Sequence, residues 1–153
     1  MKPVRILFVC LGNICRSPLA EGILRHAAGD GPIEVDSAGT GGWHIGDPPD
    51  RRSIAVALKH GIDVARQRCR KVDSHDFEAF DLIFAMDGSN LAHLRAMAPL
   101  AAQHKLHLFL DYALGVPRDV PDPYYEGPEG FEMVYNMLFE GCRSLTGKLE
   151  ERS

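Results

Sequence analysis

A short apolar run that ends in a glycine-bearing loop and passes at once into a helix restricts what this chain can become. Val4-Arg5-Ile6-Leu7-Phe8-Val9 lacks the polar alternation of a half-exposed strand, so it reads as a strand covered on both faces of a parallel sheet. Ser17-Pro18, followed by Leu19, Ile23 and Leu24, reads as a helix start, with proline in the first turn where a missing N–H costs least. The loop between them curls at Gly12 and Asn13. Strand, loop and helix in that order form the unit of an α/β fold, whose ligand sites gather outside the carboxyl ends of the strands.

The same alternation continues along the chain. The first helix is expected from Pro18 to about Ala28 and ends at Gly29-Asp30-Gly31-Pro32. Ile33-Glu34-Val35-Asp36 reads as a second strand, Phe80 to Met86 as a third and Leu106 to Leu110 as a fourth. Helices are expected over Arg51–His60, over Ser89–Met97 with Asp87 or Ser89 as cap, and from about Pro128 to Leu149. The last of these carries Phe131, Val134, Met137, Leu138 and Leu145 as its buried stripe. Gly41–Asp50 and Gly115–Gly130 are rich in glycine and proline and read as loops. The expected whole is one α/β domain over residues 1–153, an open twisted parallel sheet with helices on both faces.

Composition narrows the function class. A chain of 153 residues with 45% hydrophobic and 25% charged residues buries a core without disulfide or metal staples. A net charge of −4 implies no nucleic-acid partner, and Arg66-Gln67-Arg68-Cys69-Arg70-Lys71 is too local for a basic stripe. That cluster reads as a solvated loop or helix start, or as a steering patch for an anionic substrate. The first apolar run is too short for a signal peptide, and none reaches the ~18 residues of a membrane span. Four cysteines without a framework spacing point to a reducing, cytoplasmic setting. Seven scattered histidines show no metal-ligand spacing, so neither a metal nor another cofactor is expected.

The chemistry concentrates in the first loop. Cys10 and Arg16 stand six positions apart at its two ends, ahead of a helix N-terminus that offers N–H groups and a positive dipole end to an anion. A thiol in such an electropositive setting ionises readily, and an arginine fork grips two oxygens of a phosphate. A buried structural cysteine near an unrelated surface arginine would give the same spacing. The strand before, the Gly-Asn inside and the Ser-Pro behind favour a cysteine-dependent phosphatase instead.

Val9–Glu21 resembles the phosphate-binding loop of the low-molecular-weight protein tyrosine phosphatases. The resemblance extends to Asp36-Ser37-Ala38-Gly39-Thr40, Trp43-His44, Pro49-Asp50, Phe84-Ala85-Met86-Asp87 and Asp122-Pro123-Tyr124-Tyr125, in the family's order and over nearly the whole chain. It implies a flavodoxin-like sheet of about four strands. It also implies hydrolysis of protein phosphotyrosine and small aryl phosphates through a phosphocysteine. Cys10 is then the nucleophile, Arg16 the clamp and Asp122 the general acid. Leu11, Gly12, Asn13, Ile14, Cys15 and Ser17 supply the cradle, with Trp43, Tyr124 and Tyr125 as walls for a phenyl ring. Asn13 suits a left-handed bend, and Ser17 either donates to the thiolate or caps the helix. Ser37 is expected to brace Asn13.

Cys15 either forms a reversible disulfide with Cys10, as the resemblance implies, or fills space as a small hydrophobe. Cys69 and Cys142 read as bystanders. Where relatives carry a histidine that braces the loop asparagine, this chain has Gln67. Phosphate, sulfate or vanadate are the expected site ligands, and the chain is expected to be a monomer or weak dimer. Two rivals remain on the same framework. A thioredoxin-coupled arsenate reductase needs a further cysteine pair, and residues 78–92 contain no cysteine. A protein-arginine phosphatase tends to have threonine where this loop has Ile14.

Overall fold

In a computed structural model that describes residues 3–151, four parallel strands lie in the order β2-β1-β3-β4. They are β1 (Val4–Cys10), β2 (Ile33–Gly39), β3 (Leu82–Ala85) and β4 (Leu106–Leu108). The helices are α1 (Arg16–Ala28), α2 (Arg51–Lys59), α3 (Asp76–Ala79), α4 (Gly88–Met97), α5 (Phe109–Leu114) and α6 (Pro128–Glu151), with a 3₁₀ turn over Leu100–Lys105. The terminal positions of the expected 1–153 domain lie outside the described residues.

The strand period divides β1 between two cores. Ile6, Phe8 and Cys10 face a larger apolar cluster with residues of α1, α2, α5 and α6, whereas Leu7 and Val9 face a smaller one that includes Phe77 and Leu94. Both faces of the strand are therefore covered, which accounts for its unbroken apolar sequence. Chain order reverses between β1 and β3, so the loops after those two strands open toward the same crevice.

Several boundaries differ from the sequence reading, and β2 runs three residues past its expected end, to Gly39. α1 begins at Arg16 rather than Pro18, which still leaves the proline in the first turn, where its nitrogen lacks nothing. β3 starts at Leu82, and Phe80 and Asp81 precede it. The fourth strand stops at Leu108, and Phe109 and Leu110 belong to a helix instead. Strand alternation would turn one of these two away from the core, whereas a helix buries Phe109, Leu110 and Ala113 together. Gly115 ends that helix at φ 71°, a left-handed conformation suited to glycine.

α6 buries Phe131, Val134, Tyr135, Leu138, Gly141, Cys142, Leu145 and Leu149, a stripe at helical spacing, with Met137 half-buried at its edge. Gly141 is there because Phe109 is: a Cβ at that position would lie 2.6 Å from the Phe109 ring. The ring in turn sits edge-on to Phe8 and Phe84, at centroid distances of 5.2 and 5.4 Å. Phe109→Ala should therefore cost about 3–5 kcal/mol of stability in urea unfolding. A loss below about 1 kcal/mol would show that the surroundings collapse into the space and that this triad does not organise the core.

Candidate active site

The loop of residues 11–15 is suspended by its carbonyls. Cys10 O accepts from Thr40 N at 2.9 Å, Leu11 O from Gly41 N at 2.9 Å and Ile14 O from Asp50 N at 2.8 Å. Cys15 O accepts from Ser53 Oγ at 3.2 Å, and Asn13 O from Cys69 Sγ at 2.7 Å. A trans peptide points its C=O and N–H in opposite directions, so each carbonyl held outward turns the next residue's N–H inward. The N–H groups of residues 11–15 donate to no acceptor among the described residues. Asn13 makes the bend at φ 58°, the left-handed conformation its residue type tolerates. Gly39 lets the loop come this close, since a Cβ there would lie 3.0 Å from Gly12 C and from Leu11 O.

A hydrogen-bond chain runs beneath the loop. The two protons of the Asn13 amide go to Ser17 Oγ at 2.9 Å and Ser37 Oγ at 3.0 Å. Ser37 Oγ donates onward to Glu21 Oε1 at 2.7 Å, and Ser17 Oγ lies 3.0 Å from Cys10 Sγ. Ser17 Oγ accepts from Asn13 and has two partners within reach, the Cys10 sulfur and, at 3.5 Å, Ala38 O. Ser17 lies inside the helix and Cys15 occupies the cap position, so the helix-cap alternative for Ser17 does not hold. Ser37 braces Asn13 as expected. Glu21, absent from the expected site, anchors the chain's far end. Burial pushes its carboxyl above the usual range, opposed by Ser37 and Arg25.

Arg16 is almost wholly buried, which for a permanent cation demands partners. Its Nη1 donates to Asp87 Oδ2 at 2.7 Å and to Val120 O at 3.0 Å, and its Nη2 lies 3.8 Å from Asp122 Oδ2. Burial works against the guanidinium charge, but Cys10, Asp87 and Asp122 outweigh it and raise its proton affinity above the ordinary value. Asp87 also caps α4 through its other oxygen, which accepts from Asn90 N at 2.7 Å. The cap was legible from the sequence, while the arginine contact was missed.

Cys10, Leu11, Gly12, Ile14, Cys15 and Arg16 line a cavity of about 270 Å³ with Trp43, His44, Asp122, Tyr124 and Tyr125. Trp43 and Tyr125 are 70% and 94% exposed, so they stand at the rim rather than deep in the walls. Trp43 lies over Gly41, where a Cβ would fall 1.9 Å from its ring. Tyr124 is better held, with the Arg52 guanidinium 5.3 Å from its ring centre and Tyr125 edge-on at 5.0 Å. His44, quoted above only as part of a motif, packs against Gly12 and completes the lining. Asp122 accepts from Tyr124 N at 3.1 Å, which fixes the carboxyl at the head of its own turn.

Two expectations, for Cys69 and for the basic cluster, are corrected, and Gln67 takes a different partner from the histidine of relatives. Gln67 does not brace Asn13, because its amide nitrogen donates to Pro18 O at 3.0 Å. Asn13 Oδ1 instead accepts from Arg70 N at 2.9 Å. Nor is Cys69 a bystander, since it holds a loop carbonyl; Cys142 is fully buried in the core. The basic cluster is not simply solvated either, since Arg70 bonds both Asp36 and Asp76.

Comparison with known proteins agrees with this geometry. The family described as low molecular weight phosphotyrosine protein phosphatase matches residues 5–153. A Schizosaccharomyces pombe protein of that name is 44% identical over 145 residues, covering 91% of this chain and 92% of its own. The crystal structure of a protein tyrosine phosphatase from Entamoeba histolytica, with Hepes in its active site, superposes with a TM-score of 0.91 at 39% identity over 97% of each chain. Wzb of Vibrio vulnificus, in complex with benzylphosphonate, does so with a TM-score of 0.87 at 33% identity over 95% of this chain and 98% of that one. With its suspended loop on a four-stranded parallel sheet, this chain belongs to the low molecular weight phosphotyrosine protein phosphatases.

Proposed function

We propose that this phosphatase works through a phosphocysteine on Cys10, with Arg16 and the N–H groups of residues 11–15 holding the phosphoryl oxygens. The observation that carries this is the Cys10 sulfur at the floor of a cavity lined by Arg16 and Asp122, with the Ser17 hydroxyl 3.0 Å away. A phosphate monoester dianion resists a nucleophile until its charge is offset, and fixed inward N–H groups with a buried guanidinium do that without reorganising. Cys10 attacks phosphorus in line, the P–O bond to the leaving group breaks, and Asp122 protonates the departing oxygen. A water then attacks the phosphocysteine, gives its proton to Asp122, and phosphate leaves with the thiolate restored.

The rim aromatics Trp43, Tyr124 and Tyr125 suit a flat aryl group, so phosphotyrosine proteins and small aryl phosphates are the substrates we assign. That a related protein, Wzb, takes benzylphosphonate supports this reading. Phosphate, sulfate and vanadate fit the same cradle. Ile14 on the lining offers no hydroxyl of the kind a protein-arginine phosphatase uses. Cys69 and Cys142, both buried, make no relay pair for arsenate reduction. A cytoplasmic location accords with four free cysteines, and no described helix is long and apolar enough to cross a membrane.

Cys15 lines the same cavity as Cys10, and burial, with Asp50 and Cys10 adding, pushes its thiol well above the ordinary value. It therefore stays protonated while Cys10 reacts, the arrangement of a resolving thiol beside a nucleophile.

Three measurements test these assignments. Cys10→Ser should lose turnover of p-nitrophenyl phosphate yet still bind vanadate, and normal turnover would remove Cys10 from the mechanism. Asp122→Asn should lose about 10²–10⁴-fold on substrates with basic leaving groups and much less on good ones. Equal losses across the series would reduce Asp122 to a support for its loop. After peroxide, the wild type should regain activity with dithiothreitol and Cys15→Ala should regain much less. Mass spectrometry linking Cys10 to Cys69 instead would overturn the intraloop disulfide.

A further inference from the structure

Of the five carbonyls that suspend the loop, three are held by backbone N–H groups of Thr40, Gly41 and Asp50, and two by side chains, Ser53 and Cys69. The Cys69 contact falls at the position with most to lose. Asn13 is the left-handed residue of the loop, and its carbonyl is the one whose direction a change in that bend would reverse. Cys69 Sγ lies 2.7 Å from Asn13 O and 3.9 Å from Pro48 O. Carbonyl oxygens are acceptors only, so the thiol must be the donor.

Cys69 is itself fixed from both sides. Its N–H donates to Asp47 O at 2.8 Å and its C=O accepts from Gly46 N at 2.8 Å, which ties it to the loop that carries Trp43 and His44. The next residue closes the arrangement. Arg70 N–H holds Asn13 Oδ1, Arg70 O accepts from Gly39 N at 2.8 Å, and the Arg70 guanidinium is clamped between Asp36 and Asp76. Residues 69 and 70 thus hold both the main chain and the side chain of Asn13 from a strap that cannot drift.

We propose that Cys69 is a positioning residue of the catalytic loop: its S–H keeps the Asn13 carbonyl turned outward and so keeps the Ile14 N–H aimed into the phosphate cradle. The thiol suits this task because it stays protonated. Burial, with Asp47 and Cys10 adding, pushes it up to about 11. Without a donor there, the carbonyl is left in a buried site with no partner, and rotation of the Asn13–Ile14 peptide toward another donor withdraws one N–H from the anion. The inference rests on the loop being the phosphate site.

The test uses Cys69→Val, close in volume but without a donor, Cys69→Ala as a second apolar variant, and Cys69→Ser, which keeps one. Affinity for inorganic phosphate by calorimetry, kcat/KM on p-nitrophenyl phosphate and the thermal midpoint are measured for each. Val and Ala should weaken phosphate binding and kcat/KM on the order of 10-fold, and Ser should stay within about threefold of the wild type. Wild-type affinity in the Val or Ala variant would overturn the inference. So would a Ser variant as weak as Val with midpoints unchanged, since the donor would then not matter. A wild type that fails to bind phosphate at all would instead contradict the reading of the site, and the inference with it.

Discussion

Peptide planarity is the constraint on which this site depends. A loop that binds an oxyanion must turn several N–H groups toward one point, and such groups cannot be held by protein acceptors because each has one proton, which the anion needs. They can be steered from behind, through the carbonyls on the other edge of the same peptide planes. Outward bonds from residues as distant as Thr40, Asp50, Ser53 and Cys69 do this here. On the proposed function the cradle is therefore built before any phosphate arrives, and preorganised donors of this kind are the largest single source of stabilisation in many transition states.

The second demand is a cation without freedom. Arg16 is buried in the first turn of α1, and its partners come from the ends of two other segments, Asp87 after β3 and Val120 in the proline-rich stretch. Val120 N also donates to Met86 O at 2.8 Å, so the stretch that carries Asp122 is fastened to the end of β3. Removing one member of a buried ion pair typically costs about 3–5 kcal/mol, more than one rim contact is worth. The guanidinium thus organises the loop that carries Asp122, and in the proposed mechanism it also faces the substrate.

Where the site is built locally, its geometry is legible in the sequence. Cys10, the bend at Asn13, Arg16 and the helix start lie within a few residues, and strand, loop and helix each carry their own composition. Ser37 bracing Asn13 came through family resemblance. What stayed hidden was whatever the fold brings from outside. Thr40, Gly41 and Asp50 act through backbone N–H groups, which leave no side-chain signature. Asp87 showed its cap role because that partner is three residues on, whereas its Arg16 partner is far back in the chain. Phe109 reads as strand because a run of five residues, four of them apolar, is too short to show a period that tells strand from helix. Gln67 stands where the family resemblance puts the bracing histidine, but its amide turns to Pro18, and the N–H of Arg70, three residues on, holds Asn13 Oδ1.

The proposed function requires that the N–H groups of Leu11, Gly12, Ile14 and Cys15, steered by the held carbonyls behind them, take the phosphate. Titration of ¹⁵N-labelled protein with inorganic phosphate, followed by amide proton and nitrogen shifts, tests it most directly. Large downfield proton shifts are predicted for Leu11, Gly12, Ile14 and Cys15, saturating together with one dissociation constant. The amides of Thr40, Gly41 and Asp50, already bonded behind the loop, should move little. Shifts centred on residues 47–52 with the loop amides unmoved would contradict it.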